Sequence, residues 1–224
     1  MNVLQTLLCE ANMAEKWFWL PDWASDLSLW EDDLVAVNSD ADHVFVPYEK
    51  MIQSLDHLYA IDGLSKASAI VAWGLGALAL LKNAADKPKG QKWILLSPYA
   101  NFCDDNSNWT EQTLIFMARQ VRSAAEPTLN AFMEFYENEF GEWQDDWLNA
   151  AERMDRNCLG DGLSYLAQNV IDSKIEDNGE TKVLYGRMDQ AVLPEMTLAL
   201  KPFLPNAEFK ERPKAGHWPP LLML

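Results

Sequence analysis

Two residues far apart in the chain stand where acyl-transfer chemistry would need them. Asp189 follows the apolar run Val183–Gly186 within YGRMDQAVLPEM, and His217 lies in the glycine-containing loop AGHWPP. A carboxylate that orients an imidazole lets the ring take a proton from a nucleophile or a water. Upstream, Ala72-Trp73-Gly74-Leu75-Gly76 joins an apolar run to a helical stretch. That is the setting of a strand–turn–helix elbow of the form G-x-S-x-G, and elbow, acid, histidine is the chain order such a triad follows. Ala72 and Gly76 are the small residues needed where the backbone passes close to its neighbours. The centre of the elbow, where a serine would stand, is Gly74. It tolerates strained dihedrals and offers no hydroxyl. A phosphate-binding turn would need a following Lys-Ser/Thr or a spaced acid, and neither is present.

Three replacements for the missing hydroxyl can be weighed. Ser97 follows the run WILL directly and could point into the same cleft, although a Ser-Pro pair also simply closes a strand. Cys9 ends an apolar run, where a thiol is usually only buried. Alternatively, His217 activates a water in the space vacated at Gly74. The other histidines carry less: His43 is expected in a polar loop and His57 within a helical run. The acid pairs Asp104-Asp105 and Asp145-Asp146 lack ligand spacing and read as solvated surface, so no metal and no cofactor is implied.

These residues need a scaffold. Val3–Cys9, Asp33–Asn38, Ala67–Trp73, Trp93–Ser97, Val183–Gly186 and Ala207–Lys210 read as strands, and residues 12–30 as a loop and a helix. Helical spacing runs over Pro47–Ile61 and Ala77–Ala85. Strands alternating with helices, without hairpin signals, imply an α/β fold with a parallel sheet covered on both faces. About residues 104–176 hold helical spacing and no strand signal, a helical insertion placed to act as a lid. Its aromatics (Trp109, Phe116, Phe132, Phe135, Tyr136, Trp143, Trp147) serve as core or line an acyl pocket. With no linker in view, residues 1–224 are read as one domain.

The 224 residues suffice for one sizeable core, and 49% of them are hydrophobic. A net charge of −16 argues against nucleic acid, whose phosphates require a basic face. Three scattered cysteines (Cys9, Cys103, Cys158) favour a reducing compartment without a disulfide framework. The N-terminus shows no signal peptide, and the longest apolar stretch falls short of a membrane span. The chain is therefore expected to be soluble, cytoplasmic and monomeric.

With these segments together, the sequence resembles the pimeloyl-acyl-carrier-protein methyl ester carboxylesterases of biotin synthesis over nearly its whole length. The resemblance is carried by AWGLGAL (72–78), LLSPYANF (95–102), GLSYLAQNVID (162–172), VLYGRMDQAVLP (183–194) and AGHWP (215–219). It implies an α/β-hydrolase fold with a helical lid, and a small acyl ester or an acyl-carrier-protein-bound ester as substrate. It matches Asp189 to the acid, His217 to the base and Gly74 to the nucleophile. It also matches Leu75 and Ala11 to the backbone donors of the oxyanion hole. Two departures stand out: the serine is missing, and Cys9-Glu10 replaces the early His-Gly of the oxyanion loop, bringing a negative charge toward an anion site. Loss of the nucleophile removes covalent catalysis. The readings are a weak or inactive esterase, a non-catalytic binding protein on the same fold, or an active serine esterase carrying a Ser-to-Gly change. The arginines Arg119, Arg122, Arg153 and Arg156 are the insertion's candidates for a partner surface.

Overall fold

A computed structural model describes residues 14–135, 143–176 and 180–224. Six strands form its centre: β1 (Lys16–Leu20), β2 (Asp42–Phe45), β3 (Ala69–Trp73), β4 (Lys92–Leu96), β5 (Thr181–Gly186) and β6 (Glu208–Arg212). They lie in the order β2-β1-β3-β4-β5-β6, and all pairings between them are parallel. The helices are α1 (Glu31–Val35), α2 (Tyr48–Ile52), α3 (Leu75–Lys82), α4 (Glu111–Ser123), α5 (Glu126–Met133), α6 (Gln144–Glu152), α7 (Arg156–Gln168), α8 (Pro194–Leu198) and α9 (Pro219–Met223). β3, with the sequence AIVAW, is buried at every position, as a central strand covered on both faces must be. Leu75 to Leu81 of α3 are likewise all buried.

Three expectations are corrected. Residues 12–30 contain not just a loop and a helix but β1, a sheet strand next to the elbow strand. Asp33–Asn38 is not a strand: it falls in α1 and a 3-10 turn, Ala36–Asn38. Glu31, Asp32 and Asp33 occupy the first turn of α1, where negative charge complements the helix dipole. Val37, which a buried strand would have to cover, is exposed. The edge strand is β2 instead, and His43 sits in it rather than in a loop. The His43 Nδ1 accepts from the Trp19 indole N–H at 2.9 Å and its Nε2 faces the Asn38 carbonyl at 2.9 Å, a structural role. The strand expected at Val3–Cys9 lies outside the described residues.

Between β4 and β5 the described chain forms α4 to α7 and a single isolated bridge, Asn101 with Val170. The insertion's aromatics pack on one another: Trp109 stacks on Phe132 at 4.5 Å, and Phe132 meets Trp23 at 4.3 Å. These side chains are buried core; Phe116 instead faces solvent. Tyr136 lies outside the described residues. No described helix is long and apolar enough to cross a membrane.

Candidate active site

Each strand from β1 to β6, the edge β2 apart, delivers one side chain or turn from its carboxyl end to a common point. This is where open α/β sheets place their sites. Gly74 follows β3 with φ +48° and ψ −109°, a conformation that L side chains rarely adopt. Its N–H is bound to the Leu96 carbonyl at 3.0 Å, and the Gly76 N–H to the Pro21 carbonyl at 3.1 Å. The turn is thereby tied to both neighbouring strands. A Cβ at Gly76 would lie 2.7 Å from that same Pro21 oxygen, the close approach that requires a small residue there.

Asp189 follows β5 and is buried, and its carboxylate accepts hydrogen bonds on both oxygens. Its Oδ1 receives the N–H groups of Ala191 and Val192 at 3.0 and 2.8 Å. Its Oδ2 receives the Ser97 hydroxyl at 2.7 Å and meets His217 Nδ1 at 2.7 Å. The loop that carries His217 rests against the end of β5, where a Cβ on Gly186 would come within 2.1 Å of the Gly216 carbonyl oxygen. Asp189 and His217 are thus in direct contact, facing the Gly74 turn. Ser97 is on the other side of the imidazole: its backbone, at φ +43°, aims the hydroxyl at Asp189. Its hydroxyl thus donates to the acid, and its contact is with Asp189 and not with His217 Nε2.

The far nitrogen of His217 meets a residue that the sequence did not single out. Asp22, two residues past β1, sets its Oδ2 2.9 Å from His217 Nε2 and accepts the Leu75 N–H on Oδ1 at 2.6 Å. A Cβ built on Gly74 would lie 2.2 Å from the Asp22 Cγ and Oδ1 and 2.5 Å from Oδ2. The carboxylate of Asp22 therefore fills the volume of a side chain at position 74. The Leu75 N–H, matched to an oxyanion donor, is spent on that carboxylate, and the space pictured for a water beside His217 is taken. Ala11, Glu10 and Cys9 lie outside the described residues. The acid beside the elbow is Asp22, from the strand end adjoining β3. Its signal was present in WFWLPDWA, a lone acid after a proline inside an aromatic run.

His217 is fully buried between the two carboxylates. Burial alone pulls the imidazole pKa down, but the charges and hydrogen bonds of Asp189 and Asp22 outweigh it and raise it to about 10. At neutral pH the ring is an imidazolium that gives both protons to carboxylates. A base must have a free lone pair; this ring has none to offer. The Trp73 ring lies 5.1 Å from the imidazole, centroid to centroid.

Other candidates are placed less tellingly. Arg122 pairs with Asp161 at 2.6 Å and Arg156 donates to the Ser123 carbonyl at 3.1 Å, so both brace the insertion. Asp104 accepts from the Asn106 N–H at 2.7 Å in a local turn, and Asp145 and Asp146 begin α6. Among the described residues, no group of three or more His, Cys, Asp or Glu is placed to hold a metal ion.

Solved structures share this architecture. A thermophilic esterase from Thermogutta terrifontis, solved with malate bound, superposes with a TM-score of 0.72 at 15% identity, over 94% of this chain and 85% of its own. The enol-lactonase from Burkholderia xenovorans LB400 gives 0.71 at 14% identity, over 93% and 86%. An esterase from Exiguobacterium antarcticum gives 0.67 at 14% identity, over 91% and 85%. The chain has the α/β-hydrolase fold. Identities this low carry the fold of these α/β-hydrolases and not their chemistry. No family model and no curated protein sequence matches the chain. Within this fold, the Asp22 carboxylate stands against the Gly74 turn that follows β3.

Proposed function

We propose that this is an α/β-hydrolase-fold protein of carboxylesterase lineage, of the biotin-synthesis acyl-ester kind, that works by binding and not by turning esters over. One observation carries the reading: the Asp22 carboxylate occupies the serine's volume and takes both groups that hydrolysis needs, His217 Nε2 and the Leu75 N–H. An acyl group entering there would meet a negative charge where negative charge must develop, which reverses oxyanion stabilisation. Asp22 and His217 are 7% and 0% exposed, so the reacting point is also shut from solvent. In this reading an acyl ester, small or carried on an acyl carrier protein, is a ligand of the cleft around the closed turn and not a substrate. The active-esterase reading, with a serine simply exchanged for glycine, is less well supported, since Asp22 and a serine cannot share one volume.

The test is ester hydrolysis with short p-nitrophenyl esters and with pimeloyl-acyl-carrier-protein methyl ester, by the natural chain and by His217→Ala. Both are expected to match the uncatalysed background, and a fluorophosphonate probe is expected to label neither. Turnover by the natural chain that His217→Ala abolishes, or probe label on Ser97, would overturn the reading.

A further inference from the structure

The clamp around Asp22 has the shape of a receptor whose ligand is supplied by the chain itself. We infer that Gly74, the Leu75 N–H and His217 Nε2 form a carboxylate-binding site, that Asp22 is its intramolecular and self-inhibiting occupant, and that a small external monocarboxylate takes the site when Asp22 is withdrawn. The inference rests on the closed-site reading for where the site is, but not on whether the natural chain turns over esters.

Three features select a carboxylate over other anions. First, the two donors reach different oxygens, Leu75 N–H to Oδ1 at 2.6 Å and His217 to Oδ2 at 2.9 Å. Two donors that reach separate oxygens suit a planar two-oxygen group. Second, both donors are fixed without the ligand. His217 is held through Nδ1 by Asp189, and the Leu75 N–H opens α3, where unpaired N–H groups and the helix dipole favour negative charge. Third, the carboxyl group lies in the space that a Cβ at Gly74 would take, within 2.2–2.5 Å of that position. The ligand class is therefore formate or acetate, or the carboxylate end of a chain able to follow the path of the Asp22 side chain.

The loop that delivers Asp22 is anchored apart from the clamp. Trp23 donates its indole N–H to the Leu159 carbonyl at 2.9 Å, and Ser25 accepts from the Trp147 indole at 3.1 Å. Removing the carboxyl group alone should vacate the site with the loop still in place.

The experiment is thermal melting of the natural chain, Asp22→Ala and Asp22→Ala/His217→Gln, each with sodium formate, sodium acetate, acetamide or sodium chloride. Asp22→Ala is expected to melt below the natural chain and to regain several degrees, saturably, in formate and acetate. Acetamide and chloride are expected to leave it unmoved, and neither the natural chain nor the double variant is expected to respond to carboxylate. If Asp22→Ala is unfolded without ligand, recovery of its folded circular dichroism spectrum in formate supports the inference. Failure of formate and acetate to stabilise or refold it, or an equal effect of chloride, overturns it. Ester turnover by the natural chain would sink the preceding reading and leave this result standing, so the two can fail separately.

Discussion

Gly74 and Asp22 are coupled in space although 52 positions separate them in the chain. A serine at 74 requires its Cβ where the Asp22 carboxylate now lies, 2.2 Å from Cγ, at a backbone φ of +48°. Gly74→Ser alone is therefore expected to lower unfolding free energy by about 1–3 kcal/mol, the range for overpacking, and to add no esterase activity. Asp22→Gly in the same chain should relieve the overlap. A double-mutant cycle by urea denaturation should then give a favourable coupling between the two changes, and strictly additive losses would show that the overlap is absent. The buried Asp22, His217 and Asp189 group fixes a pH dependence. His217 has its folded pKa raised from 6.5 to about 10. A raised pKa contributes stability that is complete below the unfolded value and is lost as pH rises through the folded one. Stability of the natural chain should thus decline between about pH 6.5 and pH 10, and the decline should be smaller in His217→Gln. Parallel curves for the two proteins would mean the ring is not held as a cation.

Among the elements, the helical insertion decides where Asp22 stands, because α6 and α7 grip the segment that follows it. Gly162 of α7 faces that segment: a Cβ there would lie 2.3 Å from the Tyr48 hydroxyl and 3.0 Å from Trp23. Gly→Ala within a helix ordinarily gains about 1 kcal/mol. Here the Tyr48 hydroxyl is held on the Cys158 carbonyl and the Trp23 indole on Leu159, so neither can yield cheaply. Overpacking should win, and Gly162→Ala is expected to lower stability by about 1–2 kcal/mol in urea melts. A gain would show that the contact is soft. The same elements explain what was legible. The order of elbow, acid and histidine, and the buried runs of β3, β4 and β5, are local patterns that survive into the fold. β1 escaped notice because KWFWL lacks β-branched residues and stands beside Pro21-Asp22-Trp23, which reads as a loop. DLVAVN misled in the other direction, its continuous apolar run outweighed by the three acids that begin α1. Asp22 is visible in the sequence as a lone acid, but its role is not. Its meaning lies in a glycine one strand away, and no spacing rule joins them.

At the scale of the whole molecule, 34 acidic residues face 18 basic ones, for a net charge of −16. Most of these charges are at the surface, and mutual repulsion of that size disfavours the compact state. Salt screens it over a Debye length of about 10 Å at 0.1 M, so melting temperature at pH 7 is expected to rise as sodium chloride is raised from low ionic strength. The buried triad belongs to a different electrical environment. Asp189 and His217 are 1% and 0% exposed, their contacts are direct, and mobile ions cannot enter between them. Screening should therefore lift the whole stability curve while leaving in place the His217-dependent fall at alkaline pH. Calorimetric melts of the natural chain and His217→Gln, each from pH 6 to pH 10 at low and high salt, separate the two effects. The difference between the proteins should keep its pH dependence in high salt, whereas both should share the salt-induced rise. If salt erased that difference, the charges around His217 would have to be reached by solvent, and a sealed carboxylate clamp at the centre of the fold would be the wrong picture.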